Sequence, residues 1–175
     1  MPYLTREQLL TYASDTQRIE TARRFRVASA SATQATVFLS HSHADMALVQ
    51  ATANYFASQQ VVVYVDWLDP TMPSVTSPQT ALGLKQRMNG CRKFVVLVTD
   101  QSVASRWVPW EVGYADGTKP ATAIAALPVV QSLTQPVTEY IGIYSRIEVG
   151  SNGGGFVYAP GSTTPSMTLT AWLRR

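Results

Sequence analysis

The chain has 175 residues, of which 46% are hydrophobic and 14% charged, and its formal net charge is +3. This length predicts one domain with a core of its own, and the lone Cys91 excludes an internal disulfide. The weak, dispersed positive charge excludes a nucleic-acid footprint, and no apolar run approaches the roughly 18 residues that cross a bilayer. With no signal peptide, we expect a cytoplasmic protein without nucleic-acid or membrane partners.

The N-terminal segment, residues 1–34, is predicted to be a helix followed by a linker. Thr5 and Gln8 have the spacing of a capping box, and apolar residues then recur at helical spacing as far as Phe25. We expect the helix over residues 5–26 and the main domain over residues 35–175.

In the main domain, apolar runs that predict buried strands alternate with amphipathic patterns that predict helices. The strands are expected over residues 36–40, 61–65, 94–98 and 121–130, with shorter ones within 140–149 and at 156–158, and helices are expected to begin near Met46, Ser77, Ser105 and Thr168. This alternation predicts an α/β fold, a flavodoxin-like three-layer sandwich whose mainly parallel sheet has the order 2-1-3-4-5. Pro128 favours an edge position for the fourth strand.

The predicted strand order also locates a ligand site. Ligands of open α/β sheets bind beyond the carboxyl ends of the strands, where the strand order reverses. That point lies between the first and third strands, so residues 40–45 and 99–111 open onto one crevice, joined by the loop 66–77. The second of these turns holds Trp107, Trp110 and Glu111. The sequence therefore places one carboxylate, flanked by aromatic surface, where a small molecule would bind.

The turn after the first strand is polar. Ser40, His41 and Ser42 precede a helix, whose free N–H groups suit a pyrophosphate or a ribose. The spacing of His41 and His43 is compatible with a metal, but no Cys, His or carboxylate set completes a site in the sequence. We therefore expect no metal and interpret both as surface histidines near a helix start. Asp45 is interpreted as a first-turn helix acid.

Three segments, in this order, resemble Toll/interleukin-1 receptor (TIR) domains. Residues 37–42 (VFLSHS) resemble their first strand and loop, and residues 63–66 (VYVD) resemble their second strand, which precedes a loop known for assembly. Residues 105–111 (SRWVPWE) resemble the Ser-x-Trp-x-x-x-Glu segment of NAD-cleaving TIR enzymes, with Val108-Pro109 where the family usually has a cysteine, a change that alters the pocket wall. The resemblance covers about residues 35–130 and is greatest to stand-alone bacterial TIR proteins.

This resemblance implies an NAD+ glycohydrolase or ADP-ribosyl cyclase that releases nicotinamide and makes ADP-ribose or cyclic ADP-ribose. NAD+ would be the substrate, so no cofactor is expected. Glu111 would be the catalytic residue, and the implied substrate-binding residues are Phe38, Ser40, His41, Asp66, Trp67, Trp107 and Trp110. Some such proteins belong to Thoeris-type antiphage systems, which implies a product-sensing effector as partner, beside a homo-oligomer formed through the loop 67–77.

Plainer interpretations stay open for several of these side chains. Glu111 could be an exposed helix carboxylate, and Trp107 and Trp110 could anchor a short helix to the core rather than line a pocket. Asp66 could bind a ribose hydroxyl or hold the following loop through its backbone N–H groups. Trp67 would stack on a base or on a neighbouring subunit.

Two other functions also stay open. Glu111, Gly113 and Ala115 resemble the Glu-x-Gly-x-Ala segment of nucleoside deoxyribosyltransferases, although the preceding serine and tryptophan fit that family poorly. The third possibility is a non-catalytic TIR adaptor that assembles through the apolar, proline-rich loop 67–77, whose composition suits a contact surface.

Overall fold

The computed structural model describes residues 4–14, 37–69, 77–130, 140–150 and 153–175. The strands of the described part are β1 (Leu4–Thr5), β2 (Val37–Ser40), β3 (Val63–Tyr64), β4 (Lys93–Val98), β5 (Ile124–Val130), β6 (Ser145–Val149), β7 (Gly155–Tyr158) and β8 (Met167–Thr168). Its α-helices are α1 (Arg6–Ser14), α2 (Met46–Ser58), α3 (Pro78–Gly90), α4 (Asp100–Val103), α5 (Trp107–Thr118) and α6 (Leu169–Arg174). None of these helices has the length and apolarity needed to cross a membrane.

All eight strands belong to one sheet, in the order β3-β2-β4-β5-β6-β7-β8, with β1 paired to β5. Neighbouring strands from β3 to β6 run parallel, whereas β7 and β8 are added antiparallel. The fold is therefore the expected flavodoxin-like α/β class. The direction of the chain along the sheet reverses at β2 and β4, so the turns after these two strands open onto a shared crevice.

Side chains alternate between the two faces of the sheet, and helices cover both faces. One core contains Val37, Leu39, Val95 and Leu97 of the sheet, packed against residues of α1, α2 and α6. The other contains Phe38, Phe94, Val96 and Ile124, packed against Leu84 and Met88 of α3 and Val108, Val112 and Ala115 of α5. This arrangement is the three-layer sandwich that the alternation of elements predicts.

Two predicted caps fix helix starts. Thr5 N donates to Gln8 Oε1 at 2.9 Å and Gln8 N donates to Thr5 Oγ1 at 3.2 Å, so the first helix begins where the sequence predicts. The described part of this helix ends at Ser14, and the rest of the expected range, 15–26, lies outside the described residues, as does the expected domain boundary at 34–35. Ser77 caps α3 through Thr80, with Pro78 at the first helical position.

Two expectations about packing are wrong. The strand β5 is internal, because β4 and β6 flank it, so Pro128 does not mark an edge. Pro128 pairs with Val98 at the last position of the β4–β5 ladder, where a missing N–H costs little. The spacing of Met46, Val49, Ala53 and Phe56 predicts that these four residues share the buried face of α2. Met46 is instead 60% exposed, because it occupies the first position of the helix.

Residues 153–155 are a run of three glycines, which suggests a flexible link. Gly155 is instead a packed residue at the start of β7. A Cβ at this position would lie 2.5 Å from Tyr55 Oη and 2.8 Å from Leu169 Cβ. We expect Gly155→Ala to lower the free energy of unfolding by about 1–3 kcal/mol, because α6 must move to relieve the overlap. Urea unfolding measures this. Gly113→Ala in α5 is the control, since a Cβ there meets no atom of the described residues within 4 Å and alanine should stabilise the helix.

Candidate active site

A cavity of about 190 Å³ lies beyond the carboxyl ends of β2, β3 and β4. Its lining comes from the turns after these strands and from α3 and α5, namely His41, Ser42, His43, Asp66, Thr80, Leu84, Ser105, Trp107 and Glu111. The cavity is therefore at the reversal of strand order, as the sequence predicts. Both polar and apolar side chains face it, which suits a ligand with polar and ring-shaped parts.

Glu111 is buried at this cavity and contacts the end of β2. Only 5% of Glu111 and 1% of Ser40 is exposed, and Ser40 Oγ donates a hydrogen bond to Glu111 Oε2 at 2.5 Å. Burial raises the pKa of Glu111 to about 8, although the Ser40 hydrogen bond and the charge of His41 act in the opposite direction. The interpretation of Glu111 as an exposed helix carboxylate is therefore wrong.

The sequence of α5 explains why a carboxyl group is buried here. Ser105 Oγ accepts hydrogen bonds from the N–H groups of Trp107 and Val108, which starts the helix, and Pro109 occupies an early position that needs no N–H. Val108 and Ala115 lie three residues before and four after Glu111, and both are fully buried. Glu111 therefore shares the face of α5 that packs on the sheet.

His41, His43 and Asp66 form a cluster on the wall of the cavity. His41 Nε2 lies 3.3 Å from Asp66 Oδ1, and His43 Nε2 lies 3.0 Å from Asp66 Oδ2. His41 Nδ1 lies 2.8 Å from the carbonyl oxygen of Leu39. His41 is only 8% exposed, so its interpretation as a surface histidine is wrong, whereas His43 is exposed.

The charges of this cluster support one another. Burial alone would raise the pKa of Asp66, but the two histidines outweigh it and hold the pKa at about 2. Burial alone would lower the pKa of His41, but the Asp66 carboxylate outweighs it, so the pKa lies above its usual value. Asp66 Oδ1 also accepts a hydrogen bond from Trp67 N at 2.8 Å. Asp66 thus holds the start of the following loop, one of its two expected roles.

The aromatic candidates occupy different environments. Trp107 lines the cavity, and its ring meets the ring of Trp110 edge-on at 5.3 Å. Trp110 is outside the lining and stacks on Tyr114 at 6.1 Å. Trp67 packs edge-on against His41 at 4.8 Å. Phe38 does not reach the cavity, because its 1% exposed ring stacks in the core between Tyr64 and Phe94.

Two lining residues lie outside the segments that the sequence predicts at the crevice. Thr80 and Leu84 project from α3, one turn apart. The sequence predicts α3 and its buried Leu84, but not that this helix approaches the cavity. Val108, which was expected to alter the pocket wall, is instead fully buried in the core and outside the lining.

The sheet is flavodoxin-like, and Ser40 and Glu111 are buried where its strand order reverses. Both residues belong to the segments by which the sequence resembles TIR domains. Residues 37–148 match the TIR domain family, and the chain belongs to that family.

Two relatives have names that describe an activity. The chain is 36% identical over 120 residues to a Bacillus cereus (strain MSX-D12) protein named "Probable 3' cyclic ADP-D-ribose synthase ThsB'", a match that covers 66% of this chain and 61% of that protein. It is 30% identical over 82 residues to a Cytobacillus dafuensis protein named "Putative cyclic ADP-D-ribose synthase TIR2", covering 45% of this chain and 22% of that protein. The matches thus span less than two thirds of either relative.

Proposed function

We propose that this TIR domain cleaves NAD+, releasing nicotinamide and forming ADP-ribose or a cyclic ADP-ribose. The observation that carries the proposal is the buried carboxyl of Glu111, which lines the cavity and bonds to Ser40 at the reversal of the strand order. The names of both relatives refer to cyclic ADP-D-ribose synthesis, which supports the same chemistry.

The reaction suits a site with one carboxylate. The bond between nicotinamide and ribose joins a sugar carbon to a cationic ring, and its cleavage develops oxocarbenium character on the sugar. Nicotinamide leaves as a neutral molecule, so no general acid is required. A carboxylate beside the ribose stabilises the growing positive charge and accepts hydrogen bonds from the ribose hydroxyls. Glu111 has this role in our proposal.

From the remaining lining we assign parts of the dinucleotide to parts of the cavity. A volume of about 190 Å³ is below the roughly 300–1,000 Å³ of sites that enclose a whole ligand. We therefore assign the nicotinamide riboside portion to the cavity, with Trp107 as a wall for the ring. His41 is positively charged in its imidazolium form, and the turn that it shares with Ser42 is suited to the diphosphate.

The decisive experiment is incubation of the purified protein with NAD+, followed by chromatography and mass spectrometry of the products. We expect nicotinamide with either ADP-ribose or a product lighter by one water, and the second outcome identifies a cyclase. A parallel incubation with a deoxynucleoside and a free base tests the deoxyribosyltransferase alternative, since only that enzyme exchanges the base. Base exchange without nicotinamide release would overturn the proposal.

We further propose that the protein acts in bacterial antiphage defence and assembles through the loop 67–77, passing its product to an effector protein. Leu68 at the start of this loop is 42% exposed, which suits a contact surface, whereas residues 70–76 lie outside the described part of the chain. Light scattering over a range of concentrations tests the assembly, with Leu68→Ser expected to favour the monomer. Oligomers without NAD+ turnover would instead support the adaptor alternative.

A further inference from the structure

The cluster of His41, His43 and Asp66 has the composition and spacing of a metal site. One ligand atom from each residue can be chosen so that all three lie within 4.8 Å of one another. Two ligands held about 2.0–2.1 Å from a tetrahedral Zn²⁺ are separated by about 3.3 Å. His41 Nε2 lies 3.3 Å from Asp66 Oδ1 and His43 Nε2 lies 3.0 Å from Asp66 Oδ2, so each nitrogen is near that separation from one oxygen of the carboxylate. No third ligand is apparent near the two histidines in the sequence, which is why no metal is expected there. Folding brings Asp66 to that position.

The buried histidine is oriented as a metal ligand. A carbonyl oxygen only accepts hydrogen bonds, so the contact of His41 Nδ1 with Leu39 places the ring hydrogen on Nδ1. This second contact is the one that orients most metal-binding histidines. His41 Nε2 then points at the Asp66 carboxylate 3.3 Å away, is buried, and makes no hydrogen bond of normal geometry within the described part of the chain. The carboxylate would repel a lone pair on Nε2 at this distance. Either a proton or a metal ion must therefore lie between the two groups.

Asp66 and His43 are also positioned to bind an ion. Trp67 N donates to Asp66 Oδ1 and fixes the carboxylate, so little freedom is lost when it binds an ion. His43 is exposed, with 73% of its side chain accessible, so its ring has room to adjust to an ion. Ser42, Thr80 and Glu111 line the adjoining cavity, which leaves the fourth position of the ion open to water or a ligand.

We propose that His41, His43 and Asp66 bind one divalent transition-metal ion, Zn²⁺ in the first instance, on the wall of the cavity. Two imidazoles and one carboxylate suit Zn²⁺ better than Mg²⁺ or Ca²⁺, which prefer oxygen ligands only. The bound ion places positive charge beside the site of the negatively charged diphosphate. The binding itself does not depend on the proposed NAD+ cleavage.

Titration of the metal-free protein with ZnCl₂ by isothermal calorimetry tests the site, and Co²⁺ absorption reports its geometry. We expect one Zn²⁺ per chain, with His43→Ala and Asp66→Asn each weakening binding at least tenfold, because loss of a first ligand exceeds the roughly 10–100-fold loss for an outer partner. His43 is exposed and asparagine keeps the acceptor for Trp67 N, so both variants should fold. The chain has only two histidines, which makes His43→Ala specific.

Asp100→Asn is the matched control, because Asp100 is an exposed acid at the start of α4, outside the cluster. It should bind Zn²⁺ as the unchanged protein does. Two results would overturn the proposal: no stoichiometric Zn²⁺ binding by the unchanged protein, or binding that survives both substitutions. Either result would mean that a proton, and not a metal ion, lies between His41 and Asp66. Because heat and absorption are measured rather than turnover, failure here is distinct from failure to cleave NAD+.

Discussion

Replacing Glu111 by glutamine is expected to lower NAD+ cleavage by about 10²–10³-fold. Glutamine keeps the size and the hydrogen bond to Ser40 but cannot carry the negative charge that stabilises an oxocarbenium-like ribose. The loss of one preorganised electrostatic group in a buried site typically has this magnitude. The measurement is nicotinamide release at saturating NAD+, with circular dichroism to establish that the variant is folded.

Glu148→Gln is the matched control for this substitution. Glu148 is also 5% exposed, but it pairs with Arg146 on β6, away from the cavity. We expect this variant to lose stability because it breaks a buried ion pair, yet to keep its turnover per folded molecule. Unchanged turnover in Glu111→Gln would remove Glu111 from the chemistry. Equal losses in both variants would mean that the effect comes from stability.

Much of the site could be predicted because it follows from local rules. The apolar run of β4 ends at a polar turn, the spacing of Ser105 and Pro109 starts a helix, and the reversal of strand order brings that turn to the crevice. Glu111 is therefore placed by short-range signals and one topological rule. The helix caps at Thr5 and Ser77 follow in the same way, since each involves residues three positions apart.

The remaining contacts depend on long-range packing that no local pattern encodes. Ser40 meets Glu111 across 71 positions of sequence, and His43 meets Asp66 across 23. Period-two alternation puts Phe38 and Ser40 on one face of β2, but the depth of the core decides that the ring is enclosed while the hydroxyl reaches the site. Burial of His41 likewise results from its neighbours, which a motif alone does not include.

The second large effect that we expect is a steep pH dependence of NAD+ cleavage. Because the pKa of Glu111 is raised to about 8, the free protein holds this carboxyl mostly protonated at pH 7. The charged form is the one that stabilises the transition state, so kcat/KM should rise about tenfold per pH unit below pH 8 and level off above it. The measurement is initial nicotinamide release at low NAD+ from pH 5.5 to 9. A flat profile would mean that the carboxyl is already ionised in the free protein.

The raised pKa of Glu111 also predicts how stability depends on pH. Stability should fall as the pH rises, whereas activity should increase. A carboxyl whose pKa is higher in the folded state favours folding while it stays protonated. That contribution is complete below pH 4.5 and is lost as the pH rises through about 8. Relative to Glu111→Gln, which cannot ionise, the unchanged protein should therefore lose a few kcal/mol of unfolding free energy over this range. Urea unfolding of both proteins at pH 4.5, 7 and 9 measures the difference.

Activity thus requires the ionised carboxyl of Glu111, whereas stability favours the protonated one. Bound substrate can shift the balance toward the ionised form. The nicotinamide ring of NAD+ is cationic, and a cation beside Glu111 favours the ionised carboxyl and lowers its pKa. The profile of kcat, which reports the bound state, should therefore have its midpoint at a lower pH than that of kcat/KM, which reports the free protein. Coincident midpoints would mean that the ring binds away from Glu111. The comparison therefore tests the orientation of the substrate as well as the role of the carboxylate.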